Sequence, residues 1–358
     1  MSNESKTMEK EAQAQTAAKQ PWTAKRVGDL LLNNALIIIM VIAVIYIAVI
    51  NENFLKAASV INIISQTAAY LPAALGIGGC IVLTGTDLSA GRAVGLTACV
   101  SASLLQNAAN LANKMWPEIG TLPIPVVIVI SMIIGALIGC FNGFFVAKFK
   151  LHPFIVTLGT QLILYTFLLL YVQQGNNKGM AISNLDASYT GFVKGSLFSI
   201  RGTPIPNYVL FAVVLTAVMW FVWNKTTFGK NMFALGSNEE AARVSGVNVF
   251  ATTIAVFALA GAMYGFTGFI EGARIGSNTA NTGLNYELDA IAACVIGGVS
   301  FVGGIGKIRG IVIGVLMLRL IFVGLTMVGV PQDLQYLIKG AIILFACALD
   351  MRKYLVKK

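Results

Sequence analysis

The feature that most constrains this chain is a series of long, nearly uncharged apolar runs, among them ALIIIMVIAVIYIAVI from Ala35 and VVIVISMIIGALIGCFNGFFVA from Val126. Several reach the roughly 20 residues that cross a hydrocarbon core. Inside lipid every backbone amide and carbonyl must be satisfied within the protein, which leaves helices or a closed barrel. A barrel strand alternates apolar and polar residues; these runs are unbroken and rich in Ile, Leu, Val, Ala and Gly, so they are expected to be helices. Composition agrees: 57% of residues are hydrophobic and 11% charged, more apolar surface than a water-soluble domain buries. The expected fold class is an all-α integral membrane protein.

The runs place about ten spans, near 30–50, 60–83, 90–106, 123–147, 154–172, 207–223, 251–270, 288–302, 309–328 and 335–350, with ends good to about 2 to 4 residues. The second, third and eighth are the weakest, and 83–95 reads either as a loop or as a break within the membrane. An even count puts both ends on one side. Lys25 and Arg26 before the first span, and Arg352, Lys353, Lys357 and Lys358 after the last, mark that side as cytoplasmic. Lys148, Lys150, Lys225, Lys230, Lys307 and Arg309 fall on the same side. Residues 1–28 are expected as a disordered cytoplasmic tail, 29–350 as the membrane domain and 351–358 as a basic cytoplasmic tail. Loop 173–206 is the longest segment expected outside.

The net charge of +10 does not point to nucleic acid, because the basic residues cluster beside spans and not along an aromatic-interleaved face. Cys80, Cys99, Cys140, Cys294 and Cys347 lie in or beside apolar runs without metal-ligand spacing, so they read as packing residues. His152, the single histidine, stands before Pro153 at a span end and reads as a boundary residue. No catalytic or metal constellation is expected. The pattern Gly-x4-Gly-Lys-Ser/Thr is absent: Gly306-Lys307 continues as Ile308, and Gly229-Lys230 as Asn231. The chain therefore has no P-loop of its own for ATP.

Polar residues inside spans are costly, so each needs a use. Asp87 and Asp289 each begin a Gly- and Ala-rich stretch, where a carboxylate either caps a helix or shapes a pathway; both readings stand. Gln66, Gln106, Asn142 and Gln161 are expected to face another helix or a wet cavity. Gly135, Gly139, Gly310 and Gly314 have the spacing of close helix crossings, and each pair precedes an X-Pro, a weak echo suggesting two related helical groups.

One polar segment interrupts the apolar pattern, Asn224 to Val249, reading NKTTFGKNMFALGSNEEAARVSGVNV. Acidic residues at a helix start, small residues and then a glycine stop form a short helix suited to docking a partner protein.

That segment, together with TGTDLSAGRAVGLTA, NLANKMWPE, HPFIVTLGT, ELDAIAACVIGGVSFVGGIGK and QYLIKGAIILFACALD, resembles the membrane permeases of bacterial ABC sugar importers of the ribose and galactose type, the galactoside branch most of all. The resemblance covers nearly all of 30–355. It implies a permease homodimer in the inner membrane, contacting lipid, served by a cytoplasmic ATPase that hydrolyses the ATP and by an external sugar-binding protein, with galactose or a methyl galactoside as cargo. It also assigns ATPase coupling to Gly236, Asn238, Glu239, Glu240, Ala241, Ala242, Arg243, Ser245 and Gly246. The sequence departs from the fuller coupling pattern of other importers, which ends in Ile-x-Leu-Pro; here Val249-Phe250-Ala251-Thr252 follows. The competing class is a self-contained secondary transporter or channel, in which Asp87 and Asp289 would be ion or proton sites.

Overall fold

The structure is a computed structural model that describes residues 35–109, 111 and 114–355. The tail expected over 1–28 lies outside the described residues. Among the described residues thirteen α-helices and one hairpin follow in order: α1 (Ala35–Ile50), α2 (Ala57–Val82), α3 (Ala90–Leu104), α4 (Ile124–Phe149), α5 (Pro153–Val172), α6 (Ala187–Lys194), β1 (Ser196–Ile200), β2 (Thr203–Pro206), α7 (Asn207–Lys225), α8 (Thr227–Ser237), α9 (Glu239–Val244), α10 (Val249–Ile275), α11 (Tyr286–Ile296), α12 (Ile308–Met327) and α13 (Gln332–Leu355). α13 runs on through Leu355, into the segment expected as a tail.

A helix falls on each expected apolar segment. Seven of them, α2, α4, α5, α7, α10, α12 and α13, are long and apolar enough to cross a membrane. α3 and α11 are not: with 15 and 11 residues they rise about 22 and 16 Å at 1.5 Å per residue, against a core of about 30 Å. The eighth expected span, 288–302, is thus a short helix and a loop. Gly298, at φ +81°, turns the chain out of α11 in a left-handed conformation that a side chain would strain.

The 27-residue α10 is the central post, packed against α4, α3 and α2. The α4 contact is as close as helices come. A Cβ added at Gly135 would lie 2.0 Å from the Gly261 carbonyl oxygen, and one at Gly139 would lie 2.0 Å from that of Phe257. Without side chains in the way the backbones touch, which is how membrane helices gain dispersion energy in a solvent as apolar as themselves. Gly314 meets Ala293 of the short α11 in the same manner. The two glycine pairs therefore serve partners of unequal length.

The two short helices meet by their N-termini deep in the bundle. α2 ends beside α8, where the Val82 carbonyl accepts from the Gly304 amide at 2.8 Å. From Thr84 the chain turns back inward, and α3 starts at a fully buried Ala90. Loop 276–285 descends from the far end of α10. A Cβ at Gly91 would strike the Glu287 carboxylate and the Gly283 carbonyl, and one at Gly95 the Thr282 carbonyl. The stretch 83–95 is accordingly a turn returning into the bundle, followed by the first turns of α3.

Candidate coupling surface and buried polar network

α8 and α9 form one polar corner at the end of the bundle where α2 finishes. Thr226 starts α8 by accepting from the Gly229 amide at 3.2 Å, Asn238 starts α9 by accepting from Ala241 at 2.9 Å, and Asn248 starts α10 by accepting from Ala251 at 2.9 Å. Each side-chain oxygen replaces a carbonyl that a first-turn amide lacks. α9 ends in a Schellman turn: the Val247 amide donates to Ala242 and the Gly246 amide to Arg243, both at 3.0 Å, with Gly246 at φ +84°. The glycine stop expected from the sequence is this turn.

The corner is anchored from behind and open in front. A Cβ at Gly236 would collide with the Val82 carbonyl, so α8 sits directly on the end of α2. Ala242 is buried, whereas Asn238, Glu239, Glu240, Ala241, Arg243, Ser245 and Gly246 are exposed. Arg243 bridges Glu239 at 2.6 Å and Glu240 at 3.6 Å. With side chains about half in solvent, such pairs are worth about 0–1 kcal/mol and set direction more than stability. Val244 is 89% exposed, an apolar residue with nothing to cover it. Beside α9 a cavity of about 760 Å³ runs between Thr84, Lys150, His152, Asn238 and Glu240. His152 uses Nδ1 to accept from the Phe154 amide at 3.3 Å and so starts α5.

Asp87 belongs to a second, buried network. Its Oδ1 accepts from the Ser89 amide at 3.0 Å and the Ser89 hydroxyl at 2.6 Å. Asn142 of α4 donates to that hydroxyl at 2.9 Å, and Thr160 of α5 donates to the Asn142 oxygen at 2.6 Å. The carboxyl thus holds the entry to α3 and joins three helices. Gln106 also serves structure: its side chain accepts from the Met115 amide and donates to the Ser183 carbonyl, each at 2.8 Å.

Asp289 lies inside the first turn of α11 and not ahead of it, and its partners are cations. Arg319 of α12 reaches it at 2.6 Å and Lys339 of α13 at 2.5 Å. The Arg319 guanidinium lies 3.7 Å above the Tyr70 ring, which stacks on Tyr286 at 3.9 Å. Tyr286 donates to Glu271 at 2.9 Å, and Glu271 takes two bonds from Arg274 at 2.7 and 2.8 Å. Gln66 is half-buried one turn before Tyr70 on the same face of α2.

Of the residues singled out from the sequence, Asp87 and Asn142 come together, Asp289 stands in a separate cluster, and the α9 residues form a third, remote site. Arg319, Lys339, Glu271, Arg274, Glu287 and Arg92 escaped the sequence reading. The available signal was their charge inside apolar runs, the same argument that exposed the two aspartates.

This fold is a glycine-packed bundle of apolar helices with a polar corner at one end, and its family is one of transport permeases. Residues 59–347 match the family described as branched-chain amino acid transport system / permease component, and the chain belongs to it. It is 49% identical to the galactose/methyl galactoside import permease protein MglC of Escherichia coli (strain K12) over 89% of this chain and 95% of that one. The protein of the same name from Haemophilus influenzae is 44% identical over 92% of this chain and 97% of its own length. The ribose import permease protein RbsC of Escherichia coli (strain K12) is 33% identical over 88% and 93%. No solved structure matches the chain.

Proposed function

We propose that this chain is the translocation subunit of an ATP-driven importer of galactose or methyl galactosides. Two copies form the pathway in the inner membrane, a separate ATPase hydrolyses the nucleotide in the cytoplasm, and a sugar-binding protein delivers cargo outside. The observation that carries this reading is α9: a capped helix, seated through Ala242, that turns Glu239, Glu240, Arg243 and an exposed Val244 outward. A charged rim around an exposed apolar residue suits a protein partner, with the charges steering and the apolar contact adding affinity. The names of the galactoside permeases supply the cargo.

Ten membrane segments complete the reading, with α3 and α11 as half-spans whose missing length is filled by the descending loops. Both termini and α9 face the cytoplasm, as the basic clusters favour, and loop 173–206 faces outward. Asn238→Cys, on a background without native cysteines, is then labelled from the inside only; labelling of intact cells by an impermeant reagent overturns the orientation. Reconstitution tests the function. Galactose uptake is expected to require ATP, the ATPase and the binding protein together, whereas uptake by the chain alone on a proton or sodium gradient establishes the secondary-transport class.

A further inference from the structure

The cluster around Asp289 has more charge than helix clamping needs. It lines a cavity of about 240 Å³ bounded by α2, α11, α12 and α13, with Asn285, Gln332 and Tyr336 near its mouth. α13 begins there and α12 ends there, so the mouth opens at the end of the bundle opposite α9. One carboxylate faces two cations, which leaves an uncompensated positive charge beside the wall. Arg319 is 7% exposed, and its Nε has no hydrogen-bond partner among the described residues. A buried donor without an acceptor is costly, more so when charged, and apolar packing would join these helices without that cost.

What the wall offers fits one ligand chemistry. A ring hydroxyl both accepts and donates, so it can take a bond from Arg319 or Lys339 while giving one to Asp289. The amide of Asn285 does both as well, and its side chain makes no cap hydrogen bond to α11. Tyr336, 44% exposed, presents a ring to the apolar face of a sugar. The volume is just below the about 300–1,000 Å³ of pockets for drug-sized ligands, a size that suits a monosaccharide. The polar file Arg274, Glu271, Tyr286, Tyr70, Arg319 leads from the last turn of α10 to this wall.

Resting on the sugar-import reading above, we infer that the cavity between α2, α11, α12 and α13 is a monosaccharide contact station, where Asp289, Arg319, Lys339 and Asn285 exchange hydrogen bonds with a hexose beside Tyr336.

The test uses the whole complex in proteoliposomes. Asn285→Gly removes the amide while suiting a backbone already at φ +61°, and Tyr336→Ala removes the ring from a half-exposed position. Each variant is expected to copurify with the ATPase at wild-type yield and to take up galactose about tenfold more slowly, the effect of about 1.4 kcal/mol. A thiol at Tyr336→Cys, on a background without native cysteines, is expected to react more slowly during turnover with galactose than with a polyol that is not transported. Wild-type uptake by both variants, or thiol reactivity indifferent to galactose, overturns the station. Failure of the wild-type complex to take up galactose with ATP sinks the import reading instead, so the two failures are distinguishable.

Discussion

The α9 corner and the Asp289 cluster both carry charged residues, yet they are built in opposite ways. Glu239, Glu240 and Arg243 sit within one turn of one short helix, in solvent, bridged at 2.6 and 3.6 Å. Asp289, Arg319 and Lys339 come from three helices; the first two are buried, the Lys339 side chain is 13% exposed, and the bridges measure 2.6 and 2.5 Å. Water screens the first set, so its charges are free to meet a partner and contribute little to folding. The second set has been taken out of water, so each charge depends on the others and removing one exposes the rest to an apolar surrounding. The Arg243–Glu239 and Arg319–Asp289 bridges are both 2.6 Å long, yet they carry unequal energies, and burial decides which.

Substitutions at four positions probe that contrast. Asp289→Ala, which leaves Arg319 and Lys339 facing one another, is expected to cost about 3–5 kcal/mol and to lower membrane yield and the melting temperature in detergent sharply. An unchanged melting temperature would erase the difference between the two regions. Gly135→Val places a side chain against the Gly261 carbonyl, with about 1–3 kcal/mol of overpacking expected; thermal unfolding measures it, and a tolerant variant would mean that α4 and α10 can separate freely. At Asp87 the two obvious replacements should part. Leu leaves the buried Ser89 amide without its acceptor, about 1–3 kcal/mol, whereas Asn keeps an oxygen there and should retain most yield and uptake. Loss of uptake in Asp87→Asn at normal yield would instead make the charge itself functional. Glu240→Lys is the mildest for folding, within about 0.5 kcal/mol, but is expected to weaken ATPase copurification about tenfold or more. Normal copurification and uptake in this variant would remove α9 as the docking surface.

The same contrast explains what could be read from the chain alone. Asn238, the two glutamates, Ala242 and Gly246 are neighbours in sequence and in space, because capping and the Schellman turn bond residues only a few positions apart. Their arrangement was legible as a helix start, a small-residue core and a stop. Asp289 and Lys339 are separated in sequence by α12 and the loops on either side of it. No periodicity pairs them, and Asp289 looked like a cap because it stood ahead of an apolar run. Gly135 and Gly139 were legible as a crossing, but their partner, the Gly261 stretch of α10, was not.

Span length shows the boundary most clearly. Hydropathy located a helix at every apolar segment, since each residue's transfer preference is its own and needs no neighbour. It overran α11, because Val295 to Ile305 is apolar whether it continues a helix or packs as a loop against α2 and α8. Only the assembled bundle ended that helix at Ile296, by turning the chain at Gly298 and seating Gly303 and Gly304 against Val82 and Ser237. Membrane residence, the helical class and the capped short helix α9 were thus determined by sequence, through interactions that act residue by residue or within a single turn. The joining of Asp87 to Asn142, the balance of Asp289 against two cations and the true lengths of the short helices were decided by tertiary structure. Each depends on which distant backbone fills the space beside it.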